Sequence, residues 1–332
     1  MPSQLPPELC PICKEKEQFQ FKEDYSENKI FFSLYECLKC DVQFWVPFKN
    51  PGPEWYKFRK KDKKEKPILY RGYHKKFLKL YSAFLPGAKV LDIGCGRGEL
   101  LNELQKLGCD CWGVDFDESV IKVAKNYFGL KNVFVADLNS FFDVNVAEFP
   151  KFDIITFFEV LEHLDNPLYF IEGVIRMLKP NGKLVMSVPS RERLFADNYY
   201  WDFPPSHLSR WNKEAVSNFF KKIGFKIMAV YYTDQFFHLR ELFFQKTQLG
   251  LMKKMKIKTD DLPSNLENKK ESHGNIIHTR SKSKSFIVKF LIKFKKIILS
   301  DMPVVFILLY SKLVGIKNGV MVIELKRDEI SN

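Results

Sequence analysis

Three acidic residues stand at the ends of successive apolar runs, where carboxylates could bind the hydroxyl groups of a ligand. Asp92 lies inside the run 90–93, Asp115 ends the run 111–115, and Asp137 follows the run 133–136. Short apolar runs of this kind are typical of strands buried on both faces of a parallel sheet. Because the carboxyl ends of parallel strands meet at one edge of the sheet, we expect the three carboxylates to line one ligand site.

A glycine-rich turn follows the first of these runs. The sequence VLDIGCGRGEL at 90–100 places glycine at 94, 96 and 98. Glycine lets the backbone turn tightly and approach a ligand closely, and the helix that follows directs free N–H groups towards it. The dinucleotide fingerprint is G-x-G-x-x-G, whereas this turn reads G-x-G-x-G, and Asp92 places negative charge where a pyrophosphate would be repelled. The turn therefore disfavours a dinucleotide ligand.

A second group of reactive side chains lies in EVLEHL and WDFPPSHLSRW. Glu159, Glu162 and His163 are spaced i, i+3, i+4, so a helix would place them on one face, and His207 lies in the Pro-rich segment. Three interpretations stay open at this point. His163 or His207 acts as a general base; Glu159, Glu162 and His163, with His207 as a further ligand, hold a divalent cation; or the group is purely structural.

Four cysteines near the N-terminus form two C-x-x-C pairs, Cys10 with Cys13 and Cys37 with Cys40, separated by 23 residues. Four thiolates at this spacing predict a structural zinc site closed around a hairpin too small to fold on its own core. Four cysteine ligands leave no open coordination position, which argues against a catalytic role, and a disulfide is the weaker alternative in a cytosolic protein. The other cysteines, at 95, 109 and 111, are expected to be buried as small apolar side chains.

Alternation of strand-like and helix-like segments predicts an α/β fold with a seven-stranded, mostly parallel sheet flanked by helices. The candidate strands are 89–93, 111–115, 133–136, 152–157, 183–188, 225–232 and 320–325. We predict a zinc ribbon at 1–48, a basic linker and helix at 49–83, and a main domain at 84–332 that contains a helical insertion at 235–318.

Positive charge is concentrated on both sides of the near-neutral stretch 86–240. The chain has a net charge of +13, yet residues 86–240 carry 18 Lys/Arg against 20 Asp/Glu, while 49–79 carry 12 against 3 and 241–318 carry 16 against 6. A near-neutral domain makes nucleic acid the less favoured partner. A basic amphipathic helix within 284–316 predicts a lid, a peripheral membrane contact or a partner-binding helix. The start of the sequence does not resemble a signal peptide, which predicts the cytoplasm, with the inner face of the membrane as an alternative.

The motifs together resemble the class I S-adenosylmethionine-dependent methyltransferases. VLDIGCGRG resembles their first motif, GVDFD the second, VADL the third, FDIITFFEVLEHLDNP the fourth and LKPNGKLVMSVPS the fifth. The resemblance covers roughly 65–328 and is closest to ubiquinone-type O-methyltransferases and to methyltransferases of sugar and surface-polysaccharide clusters, some of which carry an N-terminal zinc ribbon.

This resemblance implies S-adenosylmethionine as cofactor and a rossmann-like methyltransferase fold. It places Gly94 and Gly96 at the methionine part, Asp115 at the ribose, and Asp137 with Leu138 at the adenine. The whole implied cofactor site comprises Asp92, Gly94, Cys95, Gly96, Asp115, Phe116, Asp137, Leu138 and Glu159. The implied catalytic residues are Glu162, His163 and His207.

The expected activity is methylation of an oxygen on a small-molecule, saccharide, quinone-like or lipid-linked acceptor. One alternative is an RNA methyltransferase that uses the zinc ribbon and the basic flanks to bind phosphates. The other is a non-catalytic adaptor that retains the fold, although a scaffold has no need of three acids at the strand ends.

Overall fold

The structure is a computed structural model. It describes residues 2–16, 18–52, 54–56, 72–138, 141–144, 149–193, 196, 202–233, 305 and 319–328. The chain falls into two compact units, Met1–Asp234 with Asn318–Asn332, and Gln235–Lys317. The predicted insertion at 235–318, with its basic helix, lies outside the described residues except for residue 305. The domain boundaries at 48 and 83 stay predictions.

The elements follow one another in the order that the sequence pattern predicts for the main domain. The strands are β1 (Phe19–Glu27), β2 (Ile30–Cys37), β3 (Gln43–Val46), β4 (Lys89–Ile93), β5 (Asp110–Asp115), β6 (Asn132–Val135), β7 (Phe152–Phe158), β8 (Leu178–Pro189), β9 (Ser209–Arg210), β10 (Phe225–Tyr232) and β11 (Val320–Arg327). The helices are α1 (Gly72–Tyr81), α2 (Glu99–Lys106), α3 (Glu118–Phe128), α4 (Phe141–Val144), α5 (Pro167–Met177) and α6 (Lys213–Lys222).

The main sheet has seven strands in the order β6-β5-β4-β7-β8-β11-β10. The pairs β5–β6, β4–β5, β4–β7 and β7–β8 are parallel, and β11 runs antiparallel to both of its neighbours. This arrangement confirms the predicted fold class, and each of the seven predicted strands is present. The apolar runs form these strands because residues such as Val90, Leu91 and Ile155 are fully buried between the flanking helices.

Side chains cap two of the flanking helices at their first turn. The Asp117 side chain caps the start of α3 by accepting a hydrogen bond from the Ser119 N–H at 2.9 Å, and Gly129 ends the helix in the left-handed conformation. The Asn212 side chain caps α6 in the same way through the Ala215 N–H at 2.8 Å. Each cap bonds a backbone N–H group in the first turn of its helix, which would otherwise lack a partner within the helix.

Among the described residues no helix is long and apolar enough to cross a membrane.

The N-terminal residues form a second, smaller sheet in the order β1-β2-β3-β9. The β1–β2 hairpin lies between the two cysteine pairs, which is the hairpin that the long spacing requires. The fourth strand, β9, comes from the main domain: Gln43 pairs with Arg210 and Phe44 with Ser209. The two sheets therefore meet through a strand that belongs to the chain segment after β8.

The helix predicted for EVLEHL is wrong. Residues Leu161–His163 form a single 3-10 turn, and α5 begins only at Pro167. Glu159 lies before the turn with φ at 57°, a left-handed conformation, so it cannot share a helical face with Glu162 and His163. A proline at the first position of α5 fits this register, because proline starts a helix but disfavours helical backbone just before it.

Candidate active site

The glycine-rich turn is a backbone structure that only glycine adopts without strain. Gly94, Gly96 and Gly98 all have positive φ, at 76°, 56° and 80°. A side chain at position 94 would also approach Val160 Cγ2 to 2.7 Å, so this turn packs directly against the loop after β7. The turn is held from β5, because Val114 O accepts hydrogen bonds from the N–H groups of Gly94 and Cys95 at 2.8 and 3.0 Å.

Asp115 connects this turn to the loop after β5. One carboxylate oxygen accepts a hydrogen bond from the Gly96 N–H at 2.9 Å, and the other accepts one from the Asp117 N–H at 3.0 Å. Phe116 follows it, half-buried, while Asp137 is exposed and Leu138 half-buried just beyond β6. The residues predicted to hold the cofactor therefore lie at the carboxyl ends of the neighbouring strands β4, β5 and β6.

Asp92 is fully buried within β4, beneath the turn. Its carboxyl accepts a hydrogen bond from the Thr156 hydroxyl at 2.6 Å. Burial raises the pKa of Asp92 from 3.8 to about 7, the Thr156 hydrogen bond opposes this increase, and the nearby charge of Asp115 adds to it. A carboxyl with this pKa gains or loses its proton near neutral pH, so its charge beside the turn depends on pH.

We predict that Asp92 makes the protein less stable as the pH rises. Between pH 3.8 and about 7 the folded state keeps a proton on Asp92, whereas the unfolded chain has released it. The free energy of unfolding therefore falls as the pH rises through that window. Asp92→Asn is expected to remove this component and to be more stable than wild type at pH 8. Urea unfolding of both proteins at pH 5 and pH 8 tests this, and a stability difference that is equal at the two pH values would contradict it.

Glu159 is bonded to strand β8 and does not belong to the cluster that Glu162, His163 and His207 form. Its N–H donates to Ser187 O at 3.0 Å, and the Ser187 hydroxyl donates to Glu159 Oε1 at 3.0 Å. The left-handed backbone at Glu159 costs free energy, and such conformations concentrate at functional sites. The position beside the Gly94 turn places Glu159 with the predicted cofactor residues.

Glu162, His163 and His207 converge into one cluster, although they come from two separate chain segments. One ligand atom from each lies within 4.8 Å of the others, and the two imidazole centroids are 4.6 Å apart. Glu162 is completely buried, and neither of its carboxylate oxygens has a hydrogen-bond partner among the described residues. A buried carboxylate without partners is costly unless it is protonated or binds a cation.

The pKa shifts of this cluster describe its side chains without a bound cation. Burial raises the pKa of Glu162 well above its ordinary range, with a further increase from Glu159. Burial lowers the pKa of His207 well below its ordinary range, and the nearby His163 lowers it further, so His207 is neutral at pH 7. Two imidazoles and one carboxylate form a donor set that binds Zn²⁺ or Mn²⁺, and a cation that displaced the Glu162 proton would bind to carboxylate oxygens that have no hydrogen-bond partner among the described residues.

Hydrogen bonds orient both imidazoles of the cluster. His163 Nδ1 donates to Ser206 O at 2.7 Å, which leaves Nε2 as the ring nitrogen that faces Glu162, at 4.0 Å. His207 Nδ1 lies 3.5 Å from a carboxylate oxygen of Asp202, and Asp202 is itself ion-paired with the buried Arg193. A carboxylate behind an imidazole fixes the ring and its tautomer, as in many metal sites.

Three residues of this neighbourhood were not predicted from the sequence. Asp202 and Arg193 support His207, and Tyr56 reaches the cluster from the segment interpreted as a charged linker. The Tyr56 ring contacts Phe116 and His163, with centroid distances of 5.4 and 5.9 Å, and its hydroxyl donates to Ser206 O at 3.3 Å. The aromatic pair WY beside a charged run was the available signal for Tyr56, and nothing local marks the other two.

The four N-terminal cysteines form a compact buried cluster. The Sγ atoms of Cys10 and Cys40 are 3.8 Å apart and those of Cys13 and Cys37 are 3.9 Å apart, and all four lie within 4.8 Å of one another. A tetrahedral zinc ion with bonds of about 2.3 Å requires sulfur separations of about 3.8 Å. Outside this cluster, Cys95 and Cys109 are buried as predicted, while Cys111 is half-buried.

Comparison with known proteins gives a consistent result. Residues 68–230 match the family described as methyltransferase domain. The chain is 39% identical over 110 residues to the mitochondrial ubiquinone biosynthesis O-methyltransferase of Schizosaccharomyces pombe, which covers 32% of this chain and 40% of the relative. It is 38% identical over 107 residues to the ubiquinone biosynthesis O-methyltransferase of Coxiella burnetii, covering 32% of this chain and 46% of the relative. The chain thus spans less than half the length of these relatives.

Among solved structures, a SAM-dependent methyltransferase from Archaeoglobus fulgidus is 18% identical, with a TM-score of 0.46 over 83% of this chain and all of that chain.

Proposed function

Because the chain contains a class I S-adenosylmethionine-dependent methyltransferase domain, we propose that it methylates a hydroxyl oxygen of a small molecule that binds beside the Glu162–His163–His207 cluster. The observation that carries this proposal is the buried Glu162 carboxylate, unpartnered among the described residues and facing two oriented imidazoles. Two relatives at 38–39% identity are named O-methyltransferases, which supports oxygen as the methylated atom.

We propose that Glu162, His163 and His207 hold a divalent cation to which an acceptor with neighbouring hydroxyls binds. Such a cation, when bound, lowers the pKa of a coordinated hydroxyl and orients it. The protein then needs only to align the acceptor oxygen with the methyl group, so that the C–O bond forms as the C–S bond breaks and the sulfonium becomes a thioether. The acceptor hydroxyl gives its proton to solvent before or during this step. Glu159 lies beside the donor, and Glu162, which must be deprotonated to hold the cation, provides negative charge beside the acceptor.

We infer the cofactor residues from the family resemblance, and their positions at the carboxyl ends of β4, β5 and β6 support this inference. The Gly94–Gly98 turn offers backbone to the methionine part, Asp115 offers a carboxylate to the ribose, and Asp137 with Leu138 flanks the adenine. Tyr56 packs between Phe116 and His163, so we infer that it separates the cofactor side of the site from the cluster and excludes water there.

Binding and transfer together test the function. The first experiment is calorimetric titration with S-adenosylmethionine and S-adenosylhomocysteine, with NADH as a control. Radiolabelled methyl transfer is then measured on a catechol, a prenylated quinol, a saccharide and an RNA, with and without Mn²⁺. Mn²⁺-dependent product on the catechol or the quinol is expected. Binding of neither sulfur nucleoside, or product on RNA alone, would overturn the proposal.

We also propose that the four-cysteine cluster holds a structural zinc ion, because its sulfur separations fit a tetrahedral site. Cys37→Ser is expected to reduce the zinc content from one equivalent to near zero and to lower the melting temperature, since the hairpin between the pairs depends on the metal. Elemental analysis and thermal unfolding measure both effects. Cys111→Ser is the matched control, and zinc content that is unchanged in Cys37→Ser would contradict the site.

A further inference from the structure

Asp41, the residue after the zinc ligand Cys40, contacts both ends of the chain segment that carries His207. One carboxylate oxygen accepts a hydrogen bond from Arg191 Nη2 at 2.8 Å, and the other accepts one from Asn212 Nδ2 at 2.9 Å. Arg191 also donates to the backbone carbonyl of Asp41. A single side chain of the cysteine module, by which we mean the described residues from 2 to 48, is therefore bonded to the chain both before and after the segment with Asp202 and His207.

The two ends are adjacent where Asp41 binds them. The Arg191 N–H donates to Trp211 O at 2.7 Å, and Ser190 forms a parallel bridge with Trp211. Asp41 thus connects the residues that follow β8 to the residues that precede α6. We call this junction, formed by residues 190–191 and 211–212, the neck. Arg191 is largely buried at this neck, and hydrogen bonds between charged groups there are stronger than exposed ones.

Further contacts attach the described residues 202–212, which we call the histidine segment, to the cysteine module. Pairing of β9 with β3 is continued by a hydrogen bond from the Trp45 N–H to Leu208 O at 2.9 Å. Arg210 donates to Glu23 on β1 at 3.2 Å, and its guanidinium lies over the Trp45 ring at 5.2 Å. The residues after His207 are therefore bonded to the cysteine module, while Ser206 O and the Leu208 N–H are bonded to His163 and Glu162.

We propose that the cysteine module is a positioning element of the active site: it places His207 through Asp41, and zinc binding fixes Asp41. The role of His207 in catalysis rests on the proposed function, whereas the structural coupling between the cysteine module and the histidine segment does not. This assigns the module a different task from that of a separate substrate-binding or nucleic-acid-binding attachment. Cys40 and Asp41 are consecutive residues. We therefore expect loss of the metal to displace Asp41 and to weaken its hydrogen bonds to Arg191 and Asn212.

Hydrogen exchange on the full chain tests the coupling without an acceptor. Asp41→Ala is expected to raise the exchange rate of peptides within 202–212 by about tenfold or more, while peptides covering β4 and β5 stay protected. Asp41→Asn keeps one acceptor oxygen and should show a smaller increase. Zinc removal from wild type should raise exchange both in the module and in the histidine segment. Asp24→Ala is the matched control, because among the described residues Asp24 forms hydrogen bonds within the module, to Ser3 and Ser33.

A second measurement connects the coupling to the cluster. Mn²⁺ affinity is expected to fall about tenfold in Asp41→Ala, with S-adenosylmethionine affinity unchanged and with partial recovery in Asp41→Asn. Unchanged exchange in 202–212 after both Asp41→Ala and zinc removal would overturn the inference, even if the protein proves to be an active methyltransferase. Raised exchange without any Mn²⁺ binding in wild type would instead leave the coupling standing and count against the proposed cation site.

Discussion

Glu162→Gln is expected to abolish Mn²⁺ binding at the Glu162–His163–His207 cluster and to lower methyl transfer at least about a hundredfold. The substitution keeps the shape of the side chain but removes its negative charge, which is the main attraction for the cation. Because the wild-type carboxylate is buried without a partner among the described residues, the metal-free variant should be at least as stable as wild type. Affinity is measured by electron paramagnetic resonance of Mn²⁺, and stability by thermal unfolding.

Glu172→Gln provides the control for this experiment. Glu172 is an exposed residue of α5, so the same chemical change there should leave Mn²⁺ affinity, transfer and melting temperature unaltered. Mn²⁺ prefers oxygen and imidazole ligands to thiolates, so the four cysteines do not obscure the measurement. Equal Mn²⁺ affinity in wild type and Glu162→Gln would show that the cluster is not a cation site and would leave two interpretations, a general base at His163 or His207 and a purely structural role.

Asp115→Ala is expected to weaken S-adenosylmethionine binding by roughly a hundredfold or more. Hydrogen bonds to a charged group contribute about 1.5–3 kcal/mol each, and a ribose can offer two hydroxyls to this carboxylate. The variant also loses the bonds that hold Gly96 and Asp117, so the turn and the loop after β5 are released together. Calorimetric titration with S-adenosylmethionine and S-adenosylhomocysteine measures the loss.

Asp110→Ala separates this effect from a general loss of strand charge. Asp110 begins the same strand, β5, where its carboxylate is ion-paired with Lys89 at 3.2 Å at the opposite end from the turn. It should bind both nucleosides as wild type does. If Asp115→Ala retained wild-type affinity, the ribose would have to be held elsewhere, and the placement of the cofactor along β4, β5 and β6 would be wrong.

The main sheet could be predicted from the sequence because its signals are local. Runs such as 152–157 are apolar on both faces and β-branched or aromatic, and they end at glycines or acids that mark the sheet edge. The four-cysteine cluster was equally predictable, because each C-x-x-C pair brings two sulfur atoms together by local geometry. The predicted fold, and the expected position of the cofactor residues at one edge of the sheet, therefore depend on short stretches that can be interpreted independently of one another.

The rest of the candidate site depends on contacts between distant parts of the chain. Asp202 supports His207, but this relation exists only once Arg193 and the segment around 202–212 are in place. Tyr56 lies beside a strongly basic run whose composition indicates solvent exposure, and its burial depends on Phe116 and His163. The helix at EVLEHL was wrong for a related reason. Spacing alone favours it, but Glu159 has a left-handed backbone and Val160 lies against the distant Gly94 turn.

The two-residue strand β9 also has a consequence for how the chain folds during synthesis. Strand β3 pairs with β2 on one side, and its other side stays open until residues 209 and 210 have left the ribosome. An open edge strand with large apolar side chains, here Phe44 and Trp45, can pair with other chains and start aggregation. A nascent or truncated chain that ends before β9 is therefore exposed to this hazard, whether or not the four cysteines hold a zinc ion.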